Sequence, residues 1–80
     1  MSSYTDPSRF AVAVTPSDSV DINGGQTTRG LYVGVGGTVV AVIGGTAITF
    51  VGVPTGAILP IRCTRVNSTS TTATTMVALF

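Results

Sequence analysis

The chain has 80 residues and a formal net charge of +1, and 44% of its residues are apolar while only 9% are charged. This length allows one domain, whose own core is marginal because so small a domain leaves much of its surface in water. Four Arg against three Asp give no electrostatic footprint for nucleic acid or an anionic membrane. The sequence contains no His, Glu or Lys, so the usual acid–base groups of enzymes are missing.

The first quarter of the chain alternates between turns and short apolar runs. Residues 1–9 are predicted to form a flexible N-terminal arm, and residues 10–80 a single β domain. A first strand is predicted at residues 10–15 and ends at Pro16, because the sequence that follows is a turn cluster of Pro, Ser and Asp. A short strand is predicted at residues 20–22, before the strong turn signal Asn23-Gly24-Gly25.

Two Gly-Gly pairs divide the middle of the chain into a predicted β-meander. Strands are expected at residues 29–35, 38–43 and 46–53, joined by two-residue turns at Gly36-Gly37 and Gly44-Gly45, because glycine adopts positive φ without steric cost. A further strand is predicted at residues 58–66, where Pro60 indicates a sheet edge or a bulge. A polar loop at residues 67–72 precedes a last strand at residues 73–80.

These elements predict an all-β fold, a small antiparallel β-sandwich or barrel built on a hairpin meander, with about six to seven short strands. If both Gly-Gly pairs are turns, the strand register follows from them. The predicted pairs are Val35 with Thr38, Val33 with Val40, Leu31 with Val42, Val42 with Ala47, Val40 with Thr49, and Thr38 with Val51. Gly34 is then expected opposite Val39, which in turn lies opposite Phe50, so that the ring covers a strand glycine.

Neither face of this meander is polar, and residues 30–61 contain no charged side chain. The strands at residues 10–15, 58–66 and 73–80 can cover one face, and a partner must cover the other. We therefore expect a homo-oligomer or a subunit of a larger shell. The residues predicted to lie at its interfaces are Leu31, Val33, Val35, Val40, Val42, Arg62, Arg65 and Phe80.

A membrane helix is the other structure that so long an uncharged stretch permits. The stretch contains eight glycines, and Pro54 and Pro60 lie within it, so it would make a poor helix. We expect no membrane contact.

No catalytic, cofactor or metal site can be assembled from these residue types. Cys63 is the only cysteine and is interpreted as a small buried hydrophobe. Asp18 and Asp21 could share a calcium ion, but their loop has too few oxygen ligands, so turn-stabilising roles are favoured. Arg62 and Arg65 point to opposite faces of an extended strand and form no basic patch. Each is expected to pair with an Asp or a carbonyl at a subunit boundary, and the candidates are Asp18 and Asp21 of this chain or of a neighbour.

Several sequence segments resemble the small head-spike base and head-decoration proteins of tailed phages and of the gene transfer agents of α-proteobacteria. The segments are Val14-Thr15-Pro16-Ser17-Asp18-Ser19, Thr28-Arg29-Gly30-Leu31-Tyr32-Val33-Gly34, the run from Ile48 to Arg62, and Thr64-Arg65-Val66-Asn67 with Thr71-Thr72-Ala73 and Phe80. The resemblance covers nearly the whole chain from Val12 onward. Many relatives carry polar or charged residues in the hairpin turns, where this chain has bare glycine pairs.

The resemblance implies a non-enzymatic virion protein on the outer surface of an icosahedral capsid. It implies a symmetric oligomer of this chain that binds the major capsid protein and possibly a spike fibre protein, and a trimer and a pentamer are both compatible with the sequence. A β-module of the tail or adsorption device is the alternative, since it would share the composition and the oligomeric habit. A carbohydrate-binding module would need exposed aromatic residues, whereas Tyr32 and Phe50 are expected to be packed and the chain has no Trp.

Overall fold

The computed structural model describes residues 10–80, which form seven short antiparallel strands in two sheets and thereby confirm the predicted all-β class. The strands are β1 (Ala11–Ala13), β2 (Gly30–Val35), β3 (Gly37–Ile43), β4 (Thr46–Val53), β5 (Ala57–Leu59), β6 (Arg65–Val66) and β7 (Thr74–Leu79). The predicted arm at residues 1–9 lies outside the described residues, so its boundary with the β domain stays a prediction. Among residues 10–80, no helix is long and apolar enough to cross a lipid bilayer.

The core lies between the two sheets. The first sheet has the strand order β1-β7-β2-β5, and the second has the order β4-β3-β6. Leu31 and Val33 of β2 share one buried cluster with Val39 and Ala41 of β3, so the two sheets pack face to face. Side chains alternate between faces along each strand, and burying one Val or Leu stabilises the fold by roughly 1.5–3 kcal/mol.

The β3–β4 hairpin matches its prediction closely. Gly44 and Gly45 form the turn with φ values of 59° and 81°, which only glycine adopts freely. The predicted pairs of Val42 with Ala47 and of Val40 with Thr49 are both present. The predicted pair of Thr38 with Val51 is wrong, because a bulge shifts the register between Gly37 and Val39. Gly52, at φ 72°, lies in this irregular part of β4.

The hairpin predicted at Gly36-Gly37 is wrong, because β2 and β3 belong to different sheets. The pairs Leu31–Val42, Val33–Val40 and Val35–Thr38 therefore do not form, and β2 pairs with β7 and β5 instead.

Close backbone packing explains the two glycines. A Cβ atom on Gly36 would lie 2.3 Å from the carbonyl oxygen of Val53, and one on Gly37 would lie 2.6 Å from Oγ1 of Thr72. The chain needs glycine here for the missing side chain as it crosses between the sheets.

Gly34 also differs from its prediction, because Val39 in β3 and Phe50 in β4 lie in the other sheet, where they pair with each other as predicted. A Cβ atom on Gly34 would lie 2.5 Å from the carbonyl oxygen of Thr75, a residue with φ 56°. The glycine therefore accommodates an irregular turn of the β7 backbone rather than an aromatic ring.

Two further predicted strands are divided or replaced. The strand expected at residues 58–66 is two strands in different sheets, since β5 ends immediately before Pro60 and β6 begins at Arg65. Pro60 was expected at a sheet edge, and β5 is an edge strand of the first sheet. The strand expected at residues 20–22 is wrong, because Ile22–Gly25 forms a 3₁₀ turn whose Ile22 side chain is buried in the core.

The close approach at Gly36 yields a stability prediction. Gly36→Ala should lower the free energy of unfolding by about 2 kcal/mol or more. The added Cβ atom would clash with backbone atoms, which cannot move away by a side-chain rotation. Gly30→Ala is the matched control, since its Cβ atom would approach nothing closer than 3.4 Å. Urea unfolding followed by circular dichroism measures both. Equal losses in the two variants would contradict the steric explanation.

Candidate assembly interface

Most of the apolar residues predicted at an interface lie inside the subunit. Leu31 and Val33 are 0% exposed because they point from β2 into the core, and Val40 and Val42 on the central strand β3 are each 7% exposed. Phe80 is also buried, with its ring stacked on that of Phe10 at a centroid distance of 4.9 Å.

Only Val35, Arg62 and Arg65 of the predicted set keep accessible surface in the folded subunit. Val35 and Arg62 are exposed, while Arg65 is half-buried. These three residues are the members of the set that remain available for a contact with a neighbour.

Arg65 pairs within its own chain. Its Nη1 lies 3.2 Å from Oδ1 of Asp21, and its Nε donates to Oδ1 of Asn67 at 3.0 Å. The predicted pairing of an Arg with Asp21 is thus confirmed, inside one subunit. Arg62 forms no ion pair with any of residues 10–80, so it remains the arginine available to a neighbour.

Among residues 10–80, Asp18 forms no ion pair with an arginine and instead stabilises loops, in agreement with the role favoured for it. Its carboxylate accepts hydrogen bonds from the backbone N–H of Thr69, at 3.0 Å, and from the Thr69 hydroxyl. These bonds to the hydroxyl and to the N–H favour the ionised carboxylate and lower the pKa of Asp18 below its usual value. Asp18 therefore ties the loop after β1 to the loop before β7.

Thr28 anchors the connection between β5 and β6 from inside the molecule. Its buried hydroxyl donates to the carbonyl oxygen of Ile61 at 2.8 Å and accepts the N–H of Cys63 at 3.1 Å. Its own N–H donates to the Cys63 carbonyl at 3.0 Å. Cys63 is fully buried, which confirms its interpretation as a small hydrophobe, and this burial raises the pKa of its thiol.

The outer face of the first sheet is apolar across all four strands. The register aligns Ala13 with Val77, Val77 with Tyr32, and Tyr32 with Ile58, in one row that alternates with the buried residues. Ile58 is 61% exposed, and Tyr32 and Val77 are half-buried. We call this row, together with Leu79, the apolar outer face. It carries no charged side chain, which is typical of a surface that a partner covers.

The sequence indicates this face, because both sides of β2 and of β7 are apolar. Tyr32 alternates with Leu31 and Val33, and Val77 alternates with Met76 and Ala78, so each strand has two apolar sides. Which side faces the core depends on the strand that pairs with it. Because β2 pairs with β7 and β5 rather than with β3, Leu31 and Val33 face the core, and Tyr32 on the same strand faces outward.

The edge strand β4 is the second accessible apolar surface. It pairs only with β3 among the described strands, and seven of its eight residues are exposed or half-buried. Val51 is 80% exposed, and Ile48 is also exposed. A long, uncharged edge strand with apolar side chains is a template for pairing with another strand. Residues 10–80 hold no cluster of three or more metal-binding side chains.

Comparison with solved structures finds a full-length relative. The chain is similar, with a TM-score of 0.85 and 38% sequence identity, to a chain in the capsid of a native gene transfer agent (GTA) particle computed with C5 symmetry. The likeness covers 100% of this chain and 92% of that chain. No protein-family model matches the sequence, and no curated protein matches it.

The buried hydroxyl of Thr28 gives a testable prediction. Thr28→Val keeps the shape of the side chain but leaves the N–H of Cys63 and the carbonyl of Ile61 without their partner. We expect a loss of about 1–3 kcal/mol in the free energy of unfolding. Thr28→Ser keeps the hydroxyl and should recover most of that loss in the same denaturant titration. A Val variant as stable as wild type would show that the hydroxyl is dispensable.

Because the Cys63 thiol is buried, the free energy of unfolding should fall as the pH becomes alkaline. Its pKa is raised above the ordinary value of 9.0 in the folded chain, so the unfolded chain releases this proton first. The stabilisation that comes from burying the neutral thiol is fully present below the pKa of Cys63 in the unfolded chain. It is lost as the pH rises through the pKa of Cys63 in the folded chain. Wild type should therefore lose stability relative to Cys63→Ala in denaturant titrations at increasing pH. A difference that stays constant with pH would contradict this assignment.

Proposed function

The chain belongs to the family of GTA and phage head components, and we propose that it decorates the outside of an icosahedral head as a symmetric oligomer bound to the major capsid protein. The observation that carries this proposal is the full-length likeness to a GTA capsid chain at 38% identity. The likeness covers the whole chain and has a substantial sequence identity, so it supports a shared structural role as well as a shared fold.

The surface chemistry supports attachment through apolar contact. The apolar outer face presents Tyr32, Ile58 and Val77 side by side without a charged residue among them. Burying apolar area stabilises a contact by about 25 cal/mol per Å², and a buried aromatic residue surrounded by apolar neighbours is a common centre of binding energy. We propose that this face contacts the major capsid protein.

Many copies acting together supply the strength that one small contact lacks. A subunit with a radius of gyration of 11.3 Å offers only a modest contact area to the shell. When subunits are joined in an oligomer, the first contact holds the others close to their sites, and the apparent affinity rises without new contacts. The proposed role is therefore to bridge neighbouring capsid subunits and to resist their separation.

A binding experiment tests the proposed face. Heads assembled from the major capsid protein of the same particle are sedimented with the purified full chain. Ile58→Asp should weaken binding at least tenfold, about 1.4 kcal/mol, because it places a charge in an apolar contact. Val20→Asp is the matched control, since Val20 is similarly exposed, at 68%, but lies in the loop after β1.

The two variants separate the possible outcomes. Binding that survives Ile58→Asp unchanged would contradict the proposed face. A wild-type chain that fails to sediment with heads, and that labelled antibody locates at tail tips, would contradict the head role and favour a tail module. Circular dichroism of both variants confirms that each one is folded before its binding is compared.

A further inference from the structure

Within residues 10–80, the edge of β4 that faces away from β3 has unpaired backbone groups at alternate residues. The carbonyl of Val40 accepts the N–H of Asn67 at 2.8 Å, and that of Val42 accepts the N–H of Thr64 at 3.0 Å, so both β3 residues direct their backbone bonds toward the β6 side. Thr49 lies opposite Val40, and Ala47 lies opposite Val42. In an antiparallel pair such positions do not exchange hydrogen bonds. Their backbone groups therefore point away from β3, toward the open edge.

Within residues 10–80, the edge of β1 that faces away from β7 has the same arrangement. Phe10 exchanges backbone hydrogen bonds with Phe80, and the N–H of Val14 donates to Met76. The alternate residues Ala11 and Ala13 direct their N–H and C=O groups away from β7, and no described strand pairs with that side. Their side chains are small, exposed and uncharged.

The other two sheet edges are poorer templates. Strand β5 has three residues and is stopped by Pro60, which cannot donate a hydrogen bond. Strand β6 has two residues and begins with the charged Arg65. Short length, proline and charge are the features that protect natural edges from pairing. Of the four edges in the described part of the chain, β1 and β4 are thus the two with uncharged, proline-free strands.

These two edges lie on opposite sides of the molecule. Residues 54–56 alone connect β4 to β5, which places both strands at one side. The segment after β1 bonds to β6 through the N–H of Ser17 and the carbonyl of Val66, at 2.8 Å, so β1 and β6 share the other side. A contact between β4 of one subunit and β1 of the next is therefore head-to-tail, and repeated contacts of this kind close a ring when the rotation permits.

We propose that β4 of one subunit pairs with β1 of a second copy of this chain by main-chain hydrogen bonds. The side-chain patterns agree, because in β4 Phe50 packs against the core while Thr49 is exposed, and in β1 Val12 packs against the core while Ala13 is exposed. The pairing brings apolar side chains of both strands to the core side and meets no charge on either strand. The proposal rests on the role described above, since it supplies the contact between copies that a symmetric oligomer needs.

Directed cross-linking tests the pairing between different copies. Two variants, Thr49→Cys and Ala13→Cys, are each made in the Cys63→Ala chain, which removes the natural thiol. They are mixed in equal amounts, free and bound to heads, and treated with a short bismaleimide that tolerates small differences in register. The mixture should yield a covalent heterodimer joined at the two introduced residues, as identified by peptide mass spectrometry. Each variant alone should yield none.

Each other result overturns the pairing. A covalent dimer of Thr49→Cys alone indicates that β4 pairs with β4 of a second copy. Failure to obtain the heterodimer in both the free and the head-bound samples excludes the contact. A heterodimer formed equally well when Val20→Cys replaces Thr49→Cys indicates random collision. Head binding is measured in the same samples, so a chain that binds heads without this adduct refutes the pairing and leaves the head role intact.

A second pair of variants isolates the main-chain hydrogen bonds. Thr49→Pro removes an N–H that points away from β3, whereas Thr49→Ala keeps it. In the proposed pairing, the Pro variant should shift the oligomer toward monomer by at least tenfold in dissociation constant, and the Ala variant should not. Sedimentation equilibrium measures the shift. Equal behaviour of two folded variants would overturn the role of this edge.

Discussion

The fold depends on one crossing of the backbone, at Gly36 and Gly37, where β2 leaves the first sheet and β3 begins the second. At this crossing, the chain passes the carbonyl of Val53 and the side chain of Thr72 at distances that no Cβ atom permits. The crossing turns the inner side chains of β2 toward those of β3, so that Leu31 and Val39 share a core. An uncharged stretch that no single sheet could bury is thereby divided between two sheets that bury each other.

The sequence predicted those parts of the fold that local chemistry determines. The bounds of β4 agree with their prediction, and the turn at Gly44-Gly45 is correct, because positive φ at two successive residues is a local requirement. The turn predicted at Gly36-Gly37 is wrong, because glycine permits close approach of another backbone segment as well as tight turns. Sequence does not distinguish these two uses, since the atoms that approach Gly36 come from residues far along the chain.

The candidate interface was likewise predicted in part, since its residues depend on contacts between segments that are distant in the sequence. Apolar side chains on both faces of the strands predicted a covered surface, but not which residues form it. Burial of Leu31 on one side of β2 exposes Tyr32 on the other, and this choice follows from packing against the second sheet. The ion pair of Arg65 with Asp21 joins the short strand β6 to a loop, and the bonds of Asp18 to Thr69 join two loops. The strand faces left free of charge are suited to contacts that depend little on salt.

We propose that this chain lies on the outside of a head with its apolar outer face against the major capsid protein. A cryo-electron microscopy reconstruction of the intact particle, at a resolution that traces individual strands, tests it most directly. We expect density for this fold on the outer surface of the head, with Tyr32 and Ile58 buried against the shell. Density at the tail, or on the head with that face open to solvent, would contradict it.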